Sequence, residues 1–357
     1  MYTIIKEQIE TPALLVDLDV LEKNIELMEA HLKGSKQRLR PHFKTHKSPY
    51  IAHLQINAGA KGITCAKLGE AEVLAAAGIK DILIANQVVD PCKIGRLAAL
   101  ANSTRLSVCV DNPHAISALS KAAIECGSTV YVLVEIDVGM DRCGVKTKEE
   151  ALALAKQITD AEGLVFDGLQ AYAGHLCHNP DREAREKGVA NAEATVIEAK
   201  AFIESNGINV KEVSGSGTGI FDLPGAHEIW TEIQAGSYVF MDTDYNRLGL
   251  EFACSLSIMA TIINKRPGIA ITDAGLKVCC QEMGPPAIKD HPGLSVTSLS
   301  EEHGKIRDDN DELEYLQKIE YITSHCCATA NLHDHYFCIR NGILEMVLPI
   351  SGRGKSR

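Results

Sequence analysis

The 357-residue sequence predicts an α/β protein: a TIM-like (β/α)8 barrel followed by a C-terminal, mostly-β domain. Three observations predict it. Eight short β-branched runs recur between about residues 38 and 240. Ala- and Leu-rich stretches with helical periodicity separate most of them. After about residue 250, strand-like runs follow one another with no helix between. Strand–helix alternation implies a parallel sheet, and eight repeats suit a closed barrel better than an open doubly wound sheet.

The runs are RLRPHFK (38–44), GITCAK (62–67), DILIAN (81–86), RLSVCVD (105–111), TVYVLVEID (129–137), FDGLQAYAG (166–174), VKEVSGSG (210–217) and EIQAGSYVF (232–240). GEAEVLAAAG (69–78) and EEALALAKQITDAEG (149–163) are two of the intervening helical stretches. The gap before the last run has room for a brief helix only. Further on, LEFACSLSIMATIINKR (250–266) and PGIAITDAGLKVCCQ (267–281) read as strands. SEEHGKIRDDNDELE (300–314) reads as surface turns, and YFCIRNGILEMVLPI (336–350) as strand, Asn-Gly turn, strand. The expected division is a barrel over 13–250 and a β domain over 251–357 that also takes in residues 1–12.

Composition narrows the function. A hydrophobic fraction of 45% with 23% charged residues suits a globular protein with a real core. The net charge of −11 argues against nucleic acid or an anionic membrane as partner. A phosphate ligand stays compatible, because backbone N–H groups bind it locally. No run of about 20 apolar residues exists to span a bilayer. MYTIIKEQIETP lacks the basic start, long apolar run and cleavage site of a leader, so a cytoplasmic location is expected. The 12 cysteines are scattered without a CxxC pair and read mostly as reduced, buried fillers.

Lys44 lies in RPHFKTHKSP, at the end of the first strand. A lysine there points into the barrel mouth, where barrel active sites sit. By composition alone the segment is a solvated basic loop, with Arg38, Arg40, His46 and Lys47 nearby. VSGSGTG (213–219) and QAGSYVF (234–240) change that balance. Loops after barrel strands seven and eight are the usual phosphate site, and closely spaced Gly and Ser expose N–H groups and hydroxyls. A lysine opposite a phosphate clamp is what a pyridoxal phosphate barrel needs. Arg142, in EIDVGMDRCG (135–144), stands beyond the fifth strand, within reach of a bound ring or in a buried salt bridge. His325 and Cys327, in SHCCATANLHDHY (324–336), share one face if they lie on a strand. Imidazole plus thiolate suits Zn²⁺, and two ligands would make an open site. The competing reading is two core residues in a Cys-rich chain.

RPHFKTHK, DVGMDRCG, GSGTG, EIQAGSYVFMDTDY and SHCCATANLHDHY resemble the D-threonine aldolase and D-serine dehydratase family. These are fold-type III pyridoxal phosphate enzymes related to the N-terminal barrel of alanine racemase. The resemblance runs from about residue 11 to the C-terminus. It implies that Lys44 holds pyridoxal phosphate as a Schiff base and that Arg142 contacts its phenolic oxygen. Tyr172 would lie near the pyridine ring. Ser216, Gly217, Thr218, Gly236, Ser237 and Tyr238 would supply the phosphate site. His325 and Cys327 would hold a divalent metal, zinc or manganese. A homodimer and a small D-amino acid substrate are implied as well.

Two lyase outcomes follow from the resemblance. A base acting on the substrate hydroxyl gives a retro-aldol split to glycine and an aldehyde, and His178 is the candidate base. Loss of the Cα proton, with Lys44 as base, gives D-serine or D-3-hydroxyaspartate dehydration to a 2-oxo acid and ammonia. Cys327 favours the dehydratase, and QAGSYVFMDTDY the aldolase. His42 and His46 are weaker base candidates. An amino-acid racemase, a non-catalytic cofactor carrier and a zinc-binding barrel without cofactor are the rival readings.

Overall fold

A computed structural model describes residues 3–223 and 229–357. The chain forms two compact units. One comprises Glu29–Lys44, Ile51–Gly236 and Gly354–Arg357; the other comprises Met1–Met28, Thr45–Tyr50 and Ser237–Arg353.

Strand β1 (Ala13–Asp17) belongs to the second unit. The barrel unit holds β2 (Arg38–Leu39), β3 (Ile63–Cys65), β4 (Asp81–Gln87), β5 (Arg105–Val110), β6 (Val130–Glu135), β7 (Leu164–Ala171), β8 (Glu212–Gly215) and β9 (Glu232–Ile233). They form an eight-stranded parallel sheet ordered β2-β9-β8-β7-β6-β5-β4-β3. A parallel bridge between His42 and Thr64, with Phe43 N–H donating to the Thr64 carbonyl at 2.7 Å, joins the first strand to the second and closes the ring. These are the eight runs read from the sequence. β5 and β6 are buried on almost every residue, as parallel strands covered on both faces must be.

The crossover helices begin where their caps dictate. Asp90 caps Pro91–Leu100 and Asn112 caps Pro113–Cys126, each with proline at the first helical position. Thr147 and Glu150 form a capping box at Lys148–Asp160. Gly127, at φ 60°, ends the second of these helices.

Charges crosslink the N-terminal ends of the barrel strands. Buried Arg40 donates to both oxygens of Glu232, at 2.9 and 2.8 Å, and to Asp81 at 2.7 Å. Lys61 joins Glu232 to Glu212, and Arg105 joins Asp81 to Asp167. Burial pushes Glu232 up, yet Arg40 and Lys61 more than offset it and hold the carboxyl at about 2.

The second unit is built on β10 (Leu256–Arg266), β11 (Gly268–Thr272), β12 (Ala287–Ile288), β13 (Ser295–Leu299), β14 (Gly304–Asp308), β15 (Lys318–Ile322), β16 (His335–Arg340) and β17 (Ile343–Pro349). The main order is β13-β14-β11-β10-β1-β16-β17, with β15 pairing β10 and β12. The expected Asn-Gly hairpin joins β16 to β17, with Asn341 at φ 50° and Gly342 at φ 75°.

Four details differ from the sequence reading. Ala13–Asp17 pairs with β10 and β16 and so falls outside the barrel unit. The eighth run is a strand only at Glu232–Ile233; Ser237–Val239 is a 3-10 turn and opens the last segment of the second unit. The strand in 267–281 stops at Thr272. The polar stretch 300–314 contains strand β14, because its Ile306 is buried against β11 and β13. The expected 13–250 and 251–357 ranges differ from the compact units at these junctions. Among the described residues no helix is long and apolar enough to cross a membrane.

Candidate active site

Lys44 is the last residue of its barrel segment and is half-buried. Its Nζ lies over the Tyr172 ring, 5.5 Å from the centroid. Arg142 Cζ lies 5.7 Å from the same centroid. The ring therefore carries two cations. With His42, Gln170 and Gln234 these three line one cavity of about 200 Å³. Among the described residues Lys44 makes no ion pair, whereas Arg142 stands 3.9 Å from buried Glu135. Burial raises the Glu135 carboxyl, against a hydrogen bond from Gln87 and the Arg142 charge, which lower it.

The loop that presents Arg142 is folded around one carboxylate. Asp137 Oδ1 accepts from the N–H groups of Gly139, Met140 and Asp141, each at 3.0 Å. Tyr172 directly follows β7, which fixes where its ring leaves the barrel wall. Beneath the cavity, buried Gln234 donates to Gln170 at 2.6 Å and to Ser214 at 2.8 Å.

Residues 215–219 turn tightly beside Tyr172. Ser216 takes φ 61°, a left-handed conformation that a serine adopts only where surroundings enforce it. A side chain on Gly217 would meet Cys177 Sγ at 2.9 Å and the Tyr172 ring at 3.4 Å, so that glycine permits close packing. Cys177 hydrogen-bonds Tyr172, and burial pushes its thiol up to about 11. Thr218 is buried in the same turn.

The remaining expected residues lie elsewhere. Gly236 ends the barrel unit, whereas Ser237 and Tyr238 begin a segment of the second unit. There Tyr238 packs on Phe252 at 5.5 Å, and Ser237 Oγ lies 3.6 Å from Cys327 Sγ. His178 follows the 3-10 turn Gly174–Leu176, is half-buried, and does not line the cavity around Lys44.

His325 and Cys327 are not on a strand. His325 is the N-cap of the short helix Cys326–Ala330, and Cys327 is in its first turn. The two side chains nonetheless hydrogen-bond. Cys327 also donates to Thr45 Oγ1 at 3.3 Å, and Thr45 follows Lys44 in the chain. Asp242 accepts from the Cys326 N–H at 2.9 Å and anchors the helix start. Glu282 Oε2 is 2.7 Å from His325 Nδ1. Glu282, Cys280, Glu135 and the Gln170–Gln234 pair were not singled out from the sequence. The CCQE run at 279–282, at the end of the strand-like run 267–281, was the one visible signal, with two metal-binding residue types close together.

Two family models divide the chain: the alanine racemase N-terminal domain matches residues 16–244, and a serine dehydratase domain matches residues 255–339. A D-threonine aldolase from Arthrobacter sp. is 42% identical, covering 98% of this chain and 94% of its own length. The crystal structure of D-threonine aldolase from Filomicrobium marinum superposes with a TM-score of 0.97 at 38% identity, covering 100% of this chain and 99% of that one. D-threo-3-hydroxyaspartate dehydratase from Delftia sp. HT23 gives a TM-score of 0.89 at 28% identity, with coverage of 97% and 98%. A cysteine-to-alanine mutant of such a dehydratase is known in a metal-free form.

Proposed function

The chain belongs to the alanine racemase N-terminal domain family, and we propose that it is a pyridoxal phosphate- and divalent-metal-dependent lyase that splits D-3-hydroxy amino acids into glycine and an aldehyde. The observation that carries this reading is the Lys44 amine 5.5 Å from the centroid of the Tyr172 ring, in a chain 42% identical to a D-threonine aldolase.

The residues fit the cofactor. A lysine amine, an aromatic face and a guanidinium meet in one cavity, beside a turn of small residues. Bound there, pyridoxal phosphate supplies an electron sink for the bonds at the substrate α-carbon. In this proposal Lys44 holds the cofactor covalently and Tyr172 supports its ring. Arg142 hydrogen-bonds its phenolic oxygen, with Asp137 keeping the Arg142 loop in place. Ser216, Gly217 and Thr218, with Gly236, Ser237 and Tyr238, hold the phosphate. His178 accepts the proton of the substrate hydroxyl.

His325 and Cys327 fit a divalent metal by donor type, imidazole with thiolate. A metal supplies Lewis acidity toward the substrate hydroxyl. Zinc is the better match to a thiolate, and manganese the alternative. A homodimer and a cytoplasmic location complete the proposal; sedimentation of the purified protein tests the first and cell fractionation the second.

The deciding experiment incubates the protein, cofactor and metal with D-threonine and identifies products. Glycine with acetaldehyde supports the aldolase. One observation favours a second reading: Cys327 lies within the region matching a serine dehydratase domain. In that reading the Lys44 amine takes the α-proton, and the products are 2-oxobutanoate and ammonia.

A further inference from the structure

Arg185 is a buried cation with no part in the site described so far. It is the fourth residue of the helix Arg182–Ser205 and is 1% exposed. Its Nη1 donates to the Gly219 carbonyl at 2.5 Å, at the end of the turn beside Tyr172. Its Nε is buried without a hydrogen-bond partner, and among the described residues Arg185 makes no ion pair. The carboxylate of Asp222, three residues past Gly219, pairs with Arg182 at 3.5 Å. The surroundings are apolar: Leu176, Cys177, Val189, Ile220 and Leu223 form one cluster, with the Tyr172 ring packed against it. Burial raises the Cys177 thiol, and the charges of Lys44 and Arg185 are among the influences that lower it. Arg185 therefore acts on the same small region as Lys44.

An arginine stays charged at any ordinary pH, and burying that charge without a carboxylate is costly. Its place adds to the cost, because the start of a helix disfavours a cation. We propose that Arg185 is a positioning residue for the cofactor phosphate, its charge, tied to the turn at Gly219, being balanced when the phosphate is held by that turn. The inference rests on the reading that Ser216, Gly217 and Thr218 hold the phosphate. Backbone N–H groups and hydroxyls bring only partial charges, whereas a phosphate monoester near neutral pH carries close to two negative charges. Lys44 and Arg142 stand over the Tyr172 ring; Arg185 is the cation attached to the turn itself. The competing account is a tie for the Gly219 carbonyl. That account gives the charge no role, since a neutral donor would serve as well.

The test strips the full-length protein of cofactor and titrates it, by fluorescence, with pyridoxal phosphate and with pyridoxal, which lacks the phosphate. Arg185→Met removes the charge at similar size, and Arg185→Lys keeps the charge in another shape. The proposal expects Arg185→Met to lower the preference for the phosphorylated form ~10- to 100-fold, the scale of one partly screened charge interaction. Arg185→Lys should stay close to wild type, a rescue that a forked tie to the carbonyl would not give. Circular dichroism checks folding, and Arg185→Gln stands in if the methionine variant misfolds. An unchanged preference in Arg185→Met, or an equal loss in Arg185→Met and Arg185→Lys, would overturn the role of the charge and leave the phosphate reading intact. A wild-type protein that binds both forms equally well would overturn the phosphate reading and this inference with it.

Discussion

Glu232→Gln is a direct test of whether the ion network at the barrel floor holds the strand that carries Lys44. Glu232 accepts from Arg40 at 2.9 and 2.8 Å and from Lys61 at 2.6 Å, and Arg40 is 1% exposed. Arg40 lies four residues before Lys44 on the same strand run. Removing one partner of a buried pair typically costs ~3–5 kcal/mol, because the other charge stays buried. Linkage gives a second figure. A carboxyl held at about 2 instead of 4.5 contributes roughly 3 kcal/mol at neutral pH. Its folded value is below its unfolded one, so this stability is complete above about pH 4.5 and drains away as pH falls toward 2. The single tryptophan, Trp230, is buried two residues from Glu232 and reports on this unit alone. With a urea slope of ~3 kcal/mol/M, the fluorescence midpoint should drop by about 1 M at pH 7. The gap between wild type and variant should shrink by roughly half by pH 3. A midpoint shift under about 0.3 M, or a gap that stays constant from pH 7 to pH 3, would refute the argument.

Lys44→Ala should abolish borohydride-reducible cofactor labelling, and a label retained by the variant would remove Lys44 from its proposed role. Gly219→Ala would drive its Cβ onto the Cys177 carbonyl; overpacking of ~1–3 kcal/mol should displace the turn and weaken cofactor binding about 5- to 100-fold in a fluorescence titration. Gly95→Ala is the contrast: nothing lies within 4 Å of the added methyl in helix Pro91–Leu100, so thermal unfolding should show a gain of up to ~1 kcal/mol with cofactor affinity unchanged. Asp137→Ala leaves three N–H groups without their carboxylate and should cost ~1–2 kcal/mol, with faster proteolysis at the Arg142 loop and weaker cofactor binding.

The barrel is legible in the sequence because parallel strands buried on both faces must be continuous apolar runs, and SVCV and VYVLVE are such runs. ALLVD at 13–17 has the same local texture, yet it pairs with β10 and β16. Nothing within five residues specifies a partner strand more than 200 residues away. QAGSYVF fails differently. Its alternation suits a strand, but pairing ends at Ile233, and the chain leaves through a 3-10 turn and a left-handed Met241 at φ 51°.

The same division applies to the site. Lys44, Arg142 and Tyr172 stand at or beyond strand ends, so the barrel pattern alone puts them at one end of the barrel. The amides of Gln170 and Gln234 meet only because β7 and β9 flank β8, a pairing that sequence spacing does not express. His325 and Cys327 touch for a reason other than the one their spacing suggests. An i, i+2 pair shares a face on a strand, but here a helix starts between them. That start turns His325 toward Glu282 as well as Cys327, a convergence a continuous strand would not give. Cys280 and Glu282 are unreadable from the motif because hydrogen bonds from Thr323, Ser324 and Thr329 bring their loop in.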